Sequence, residues 1–186
     1  MTGAALLAKF VDFLNQREIP YMVVGSFSSN YFGVPRSTKD ADIVVEMDAD
    51  SWTRLARELP EGMNIEAQGF FEMVTATRKE LISTEGSLFE IEVFHLSEDE
   101  FDQERFQRRV QVDLGEGVKT WVASAEDVVV QKLRWSERAL RPKDFDDVVK
   151  VLYRQQDALD FNYIESWCQK HGSLEHLKEA RAAAGV

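Results

Sequence analysis

Val23-Val24-Gly25-Ser26 and, after a short connection, Asp40-Ala41-Asp42-Ile43-Val44 decide the fold of this chain. The first stretch predicts an apolar strand that ends in a Gly-Ser turn, and the second predicts a strand with acids at alternate positions. Because side chains at i and i+2 of a strand share a face, Asp40 and Asp42 project together while Ala41 and Ile43 face a core. Two carboxylates held side by side repel each other, so such a pair usually has a cation between them.

The Gly25-Ser26 turn lies between a strand and a predicted helix. The first turn of a helix has backbone N–H groups without intrahelical partners, and these groups bind phosphate. Gly25 allows a close approach of the backbone, and Ser26 adds a hydroxyl. A phosphate cradle beside metal-binding carboxylates predicts phosphoryl chemistry on a nucleotide.

These residues resemble the signature of the nucleotidyltransferase superfamily that includes DNA polymerase beta. That signature is an apolar residue, Gly-Gly or Gly-Ser, a spacer, and then Asp-x-Asp or Asp-x-Glu between apolar residues. The spacer here holds Arg36-Ser37-Thr38-Lys39. It is similar to the Arg-x-Thr that precedes the acids in bacterial stand-alone members related to abortive-infection nucleotidyltransferases. We expect Thr38 to support this loop rather than to react.

The resemblance implies a metal-dependent enzyme that moves a nucleoside monophosphate from an NTP to a hydroxyl acceptor and releases pyrophosphate. Asp40 and Asp42 would be catalytic and would hold two Mg²⁺ or Mn²⁺ ions, which stabilise the entering and leaving oxygens. Gly25 and Ser26 would receive the β- and γ-phosphates, and Arg36 would offer its guanidinium to phosphate.

A third carboxylate is expected on the strand Leu88-Phe89-Glu90-Ile91-Glu92-Val93-Phe94. Period two puts Glu90 and Glu92 on the same face, so geometry alone leaves both open. The resembled family shows an apolar residue, an acid and two apolar residues. That frame matches Ile91-Glu92-Val93-Phe94 and implies that Glu92 is the third catalytic and metal-binding acid. The commoner residue in the family is Asp.

Lys132 falls at the edge of the apolar face of a predicted helix that begins near Ser124. A lysine there either extends to the surface or pairs with phosphate or a carboxylate. The resembled proteins have a Lys in this segment, which implies a nucleotide-binding role, and follow it with an Arg-x-Lys-Asp-x-x-Asp block, here residues 141–147. We expect Asp144 and Asp147 to be charges that stabilise a helix N-terminus, paired with Arg141.

Composition and charge narrow the classes of partner. The chain has 186 residues, is 44% hydrophobic and 30% charged, and has a net charge of −11. An acidic surface repels polyanions, so a long nucleic-acid acceptor is disfavoured. No run approaches the ~18 apolar residues of a membrane span. The single Cys168 cannot form an internal disulfide, which fits a cytoplasmic protein.

The fold class predicted is α+β: a mixed β-sheet flanked by helices over residues 1–122, with a C-terminal helical region, residues 123–186, packed on it in the same compact unit. Apolar periodicity predicts helices over residues 3–17, 26–32, 50–59, 124–138, 144–153, 162–171 and 174–184, and a short helix within 97–109. Strands are predicted over residues 21–24, 41–46, 65–68, 70–77, 88–94, 110–114 and 118–122. Asp50 is the expected N-cap of the third helix.

Two functional hypotheses follow. The first is the enzyme described above, with a small molecule, a protein hydroxyl or a tRNA end as acceptor, of which the acidity favours the first two. The second is a non-catalytic nucleotide- or partner-binding module of the same fold, for example a toxin–antitoxin component with a protein partner. The intact Gly-Ser and Asp-x-Asp favour the enzyme, and a Glu at the third position favours the binder.

Overall fold

The computed structural model describes residues 2–66, 70–72, 77–113, 118–139 and 142–186. The chain divides into two compact units. The first unit comprises Met1–Ser26 and Thr38–Val122, and the second comprises Phe27–Ser37 and Ala123–Val186. The predicted packing of the C-terminal region on the sheet stays a prediction.

The first unit is built on a mixed sheet. Its described strands are β1 Tyr21–Val24, β2 Asp40–Val45, β3 Met63–Ile65, β4 Phe70–Glu72, β5 Thr77–Thr84, β6 Glu90–His95, β7 Val110–Asp113 and β8 Lys119–Val122. Their spatial order is β3-β5-β6-β2-β1-β8-β7, and β4 pairs with β5. The β2–β6 and β1–β8 pairs are parallel, whereas β1–β2 and β5–β6 are antiparallel. The acid-bearing strands β2 and β6 are thereby direct neighbours.

Three helices belong wholly to the first unit: α1 Gly3–Asn15, α3 Ala49–Leu55 and α4 Glu100–Gln107. The Thr2 side chain caps α1 by accepting a hydrogen bond from the backbone N–H of Ala5. Leu7, Phe10 and Leu14 recur at helical spacing and are fully buried, so the apolar stripe of α1 lies in the core. Helix α2, Gly25–Phe32, follows β1 directly.

Four helices make up most of the second unit: α5 Ala125–Ala139, α6 Pro142–Gln155, α7 Phe161–His171 and α8 Leu174–Ala184. Helix α5 contacts α6 and α7, and α8 contacts α6. The buried face of α6 carries Val148, Val151 and Leu152, at the spacing expected of an amphipathic helix. Within the described ranges, no helix is both long and apolar enough to cross a bilayer.

The structure confirms the predicted mixed sheet with flanking helices and corrects two details. Asp48, not Asp50, caps α3, because the Asp48 carboxylate accepts the backbone N–H of Ser51 at 2.9 Å. The strand predicted over residues 70–77 is two strands: β4 ends at Glu72, β5 begins at Thr77, and the two pair antiparallel. The sequence did not indicate β5, because the strand begins with charged residues and strands are poor in Lys and Glu. Residues 67–69, 73–76 and 114–117, on which parts of the predicted strands and hairpin fall, lie outside the described residues.

Candidate functional site

Four carboxylates share one face of the sheet in the first unit. In the parallel β2–β6 pair, Asp40 lies opposite Glu90 and Asp42 lies opposite Glu92. We call these four residues the carboxylate cluster. The alternate residues are fully buried on the other face, with Ala41 and Ile43 on β2 and Ile91 and Val93 on β6. Strand alternation therefore gives the cluster a rigid apolar support.

Asp42 lies against the backbone of Gly25. A Cβ atom added to Gly25 would be 1.8 Å from Oδ2 of Asp42, and Gly25 has a positive φ of 61°. The proximity follows from the antiparallel β1–β2 pair, in which Val24 is opposite Asp42. Glycine is required here twice, once for the left-handed backbone and once for the space that the carboxylate fills.

Asp40 is held by Thr38, two residues earlier in the chain. The Thr38 hydroxyl donates to Oδ1 of Asp40 at 2.6 Å. A short hydroxyl–carboxylate hydrogen bond is charge-assisted and fixes the orientation of the acid. Thr38 thus supports the loop, as predicted, and does so through the carboxylate itself.

Glu92 forms an ion pair with Lys79 of the neighbouring strand β5. Nζ of Lys79 is 2.9 Å from Oε1 of Glu92, and each side chain is 23% exposed. Lys79 is not among the predicted site residues, because residues 78–80 form a charged stretch without the apolar pattern of a strand. Recognition of β5 as the antiparallel neighbour of β6 would have placed Lys79 on the face of the acids.

The carboxylate cluster fits a divalent cation only in part. Carboxylate oxygens are the ligands that Mg²⁺ and Mn²⁺ prefer, and the adjacent Asp40 and Asp42 supply them. Glu92, the third expected ligand, is paired with Lys79. Among the described residues, no group of three or more His, Cys, Asp or Glu side chains is arranged to hold a metal ion. The metal-binding roles of Asp40, Asp42 and Glu92 therefore stay predictions, and the ion pair with Lys79 is a departure from the arrangement expected at Glu92.

Ser26 is the second residue of α2 and is 8% exposed. Its backbone N–H lies in the first turn of the helix, the part of a helix that favours phosphate. Gly25 and Ser26 thus occupy the positions expected of a phosphate cradle, and their binding role stays a prediction.

The two remaining predicted site residues, Arg36 and Lys132, meet in the second unit. Nζ of Lys132 is 3.0 Å from Oδ1 of Asp144 and 2.9 Å from Oδ2 of Asp147. The guanidinium of Arg36 donates two hydrogen bonds to the carboxylate of Asp147, from Nε to Oδ1 at 2.8 Å and from Nη2 to Oδ2 at 2.7 Å. The Ser29 hydroxyl also donates to Asp147. Residues 29–36 and Lys132, from two separate segments, thus meet at Asp147.

This network corrects the expectation for Asp144 and Asp147. Both carboxylates are almost fully buried, with side-chain exposures of 3% and 2%, and they neutralise Lys132 and Arg36 rather than only a helix dipole. They occupy one face in the first turns of α6, since residues three apart on a helix are neighbours. The expected partner Arg141 lies outside the described residues. Lys132 does not extend to the surface but pairs with carboxylates.

The surroundings of Asp147 favour the ionised form of its carboxyl. Burial raises its pKa, but the hydrogen bonds of Arg36 and the charge of Lys132 outweigh that effect and lower the pKa to about 2. In this network the positive charges of Arg36 and Lys132 compensate the charge of the buried aspartates.

His95 and Cys168 show no reactive arrangement. Nδ1 of His95 is 3.1 Å from the backbone oxygen of Met47, and its ring lies edge-on to Trp52. Cys168 is fully buried, and burial raises the pKa of its thiol to about 11. Both residues contribute to packing.

No protein-family model matches the sequence, and comparison with curated proteins finds no match. Solved structures are similar to the chain despite low identity. A crystal structure of ANT(2'')-Ia in complex with adenylyl-2''-tobramycin is 12% identical, with a TM-score of 0.65 over 93% of this chain and 98% of that one.

Two further solved structures are similar to the chain. A solution structure of the antibiotic-resistance factor ANT(2'')-Ia is 13% identical, with a TM-score of 0.61 over 94% of this chain and 96% of that one. An antigenic nucleotidyltransferase-like protein from Paracoccidioides brasiliensis is 18% identical, with a TM-score of 0.54 over 95% and 91% of the two chains. The chain therefore has the fold of the nucleotidyltransferases.

Proposed function

We propose that the protein is a metal-dependent nucleotidyltransferase that moves a nucleoside monophosphate from an NTP to a hydroxyl acceptor. The observation that carries the proposal is the packing of the Asp42 carboxylate, with Asp40 beside it, against the Gly25 backbone where β1 passes into α2. This arrangement sets acids for a divalent cation next to the N-terminus of a helix, a place that favours phosphate. It stands in the fold of the nucleotidyltransferases.

The reaction assigns separate tasks to the chain's own residues. The acceptor hydroxyl oxygen bonds to the α-phosphorus, the bond from that phosphorus to the bridging oxygen breaks, and pyrophosphate leaves. The proton of the hydroxyl passes to a carboxylate of the cluster. Asp40 and Asp42 would hold Mg²⁺ or Mn²⁺, which supplies charge neutralisation for the triphosphate. Gly25 and Ser26 receive the β- and γ-phosphates at the start of α2.

Arg36 and Lys132 remain proposed nucleotide-binding residues. Their charges are balanced by Asp144 and Asp147 in the structure. A phosphate group would therefore share these cations with the aspartates, and Arg36, with 27% exposure, is the more accessible of the two. The convergence of the Arg-x-Thr spacer, the Lys132 helix and the Lys-Asp-x-x-Asp block supports membership of the branch that resembles abortive-infection nucleotidyltransferases.

For the acceptor, we propose a small cationic molecule that carries hydroxyl groups, met in the cytoplasm. ANT(2'')-Ia was solved in complex with adenylyl-2''-tobramycin, and the net charge of −11 of this chain attracts cations and repels polyanions. A protein hydroxyl and a tRNA end are the alternatives.

The test is pyrophosphate release from each NTP in the presence of Mg²⁺, with tobramycin, an uncharged sugar alcohol or tRNA as acceptor. Release with the cationic acceptor alone supports both the activity and the acceptor class. Release with tRNA alone would replace the acceptor, and no release with any acceptor or with a cell extract contradicts the activity.

A second candidate is a non-catalytic nucleotide- or partner-binding module, such as a toxin–antitoxin component. The Lys79–Glu92 pair favours it, because the third carboxylate is already compensated. A thermal shift with NTP and Mg²⁺ but without pyrophosphate release identifies this case.

A further inference from the structure

We propose that Lys79 is a cationic member of the carboxylate cluster that holds Glu92 in place of a second divalent cation, so that the cluster binds one divalent cation, through Asp40 and Asp42. The inference rests on the proposed function, since it concerns the metal that this function needs. Lys79 would supply the positive charge that a second metal ion would otherwise bring to the cluster.

Strand register places Lys79 on the face of the cluster. In the antiparallel β5–β6 pair, Lys79 lies opposite Phe94 and Leu81 lies opposite Glu92. Directly opposed residues point to the same side, so Lys79 is diagonal to Glu92 and within reach of it. Its ammonium is 2.9 Å from Oε1 of Glu92 and 5.8 Å from the centre of the Phe94 ring.

The ammonium of Lys79 compensates part of the negative charge of the carboxylate cluster. Asp40, Asp42, Glu90 and Glu92 occupy two positions on each of two adjacent strands. Like charges directly opposite one another destabilise a sheet. The ammonium of Lys79 offsets one of the four charges, and it also occupies an oxygen of Glu92 that a metal ion would need.

The alternative is an ordinary cross-strand salt bridge, which contributes little and competes with nothing. The two interpretations differ in their effect on metal affinity. A neighbouring charge changes the proton affinity of a carboxylate by about 10- to 1000-fold, and a divalent cation experiences the same field. With the pair 23% exposed, we expect the lower end of that range.

The experiment is a titration of the full chain with Mn²⁺ alone, with free Mn²⁺ measured by electron paramagnetic resonance. We compare wild type with Lys79→Met, which keeps the stem and removes the charge, and with Lys79→Arg, which keeps the charge. Lys119→Met, an exposed lysine on β8 of the same sheet, is the matched control.

Wild type, Lys79→Arg and Lys119→Met should each bind one Mn²⁺ per chain. Lys79→Met should bind a second Mn²⁺ over a concentration range in which wild type binds only one, a gain of at least about tenfold in affinity for the second ion. Adding Glu92→Gln to Lys79→Met should abolish that second site. Thermal melts verify that each variant is folded, and Lys79→Gln replaces Lys79→Met if the latter is not.

The proposal is overturned if Lys79→Met binds Mn²⁺ as wild type does, if wild type already binds two ions, or if neither binds any. Because Mn²⁺ binding needs no turnover, the result is distinct from a failure of the proposed function. A chain that releases no pyrophosphate but gains a second Mn²⁺ site in Lys79→Met loses the activity and keeps the assignment of Lys79.

Discussion

The carboxylate of Asp42 fills the space that a side chain on Gly25 would occupy, with Oδ2 1.8 Å from the position of a Cβ atom. The two residues come from adjacent antiparallel strands, β1 and β2, at the point where β1 passes into α2. The glycine and the acid therefore depend on each other, and a side chain at position 25 would displace the carboxylate of Asp42.

Gly25→Ala should lower both the stability of the protein and its affinity for NTP. A left-handed φ costs a non-glycine residue about 1–2 kcal/mol, and the added methyl group also displaces Asp42. Gly62→Ala is the control, because Gly62 has a φ of +84° but nothing within 4 Å of an added Cβ. Urea denaturation should show a larger loss for Gly25→Ala than for Gly62→Ala. Equal losses would show that Asp42 moves aside freely.

Asp40→Asn and Asp42→Asn should each abolish Mg²⁺-dependent NTP binding or turnover and leave the fold intact. Both changes preserve shape and remove one charge from a repelling pair, so the melting temperature in EDTA should rise or stay unchanged. Pyrophosphate release and thermal melts measure the two effects. Normal turnover in either variant contradicts the proposed roles.

Glu92→Gln should impair turnover more than NTP binding, because it removes the carboxylate that holds Lys79 in the cluster, whereas Glu90→Gln should be nearly silent. Glu92 lies opposite Asp42 and Glu90 lies opposite Asp40, so the two variants are matched in chemistry and differ only in position along the strand. Steady-state kinetics and calorimetric NTP titration separate the effects. If Glu90→Gln impaired turnover and Glu92→Gln did not, Glu90 would be the third acid.

Lys132→Met should weaken NTP binding by about 1–3 kcal/mol if the ammonium meets phosphate. It should also lower the free energy of unfolding by about 3–5 kcal/mol, because Asp144 and Asp147 then lack a buried counter-charge. Urea denaturation measures the second effect. Adding Asp144→Asn should restore part of the stability, and the exposed Lys143→Met should change it by less than about 0.5 kcal/mol. A fully stable Lys132→Met would show that the network is not energetically coupled.

Asp147 should make the protein sensitive to acid over a defined range. The pKa of its carboxyl is 3.8 ordinarily and about 2 in the folded protein. A lowered pKa stabilises the fold above the ordinary value, and that contribution, about 2 kcal/mol, is lost as the pH falls from about 4 through about 2. The free energy of unfolding of wild type should therefore fall more steeply in this range than that of Asp147→Asn. If the free energy of unfolding falls equally steeply with pH in wild type and in Asp147→Asn, Asp147 is not the source of the acid sensitivity.

Much of the fold could be predicted because it is encoded locally. Helical periodicity located α1, α5, α7 and α8 to within a few residues, and strand alternation placed the acids of β2 and β6 on one face. Residues 78–84 of β5 were missed because the charged residues among them belong to a strand only through pairing with neighbouring strands. Asp48 displaced Asp50 as the cap of α3 because the choice between adjacent acids depends on backbone angles.

The sequence by itself determined the carboxylates and the glycine of the candidate site, since the order strand, Gly-Ser, Asp-x-Asp sets faces through backbone geometry alone. Only the tertiary structure decided which charges are compensated. Lys79 reaches Glu92 through strand pairing, and Arg36 reaches Asp147 across 111 positions of sequence. Such ion pairs form between elements brought together by burial of their apolar faces, and no local pattern along the chain records which elements those are.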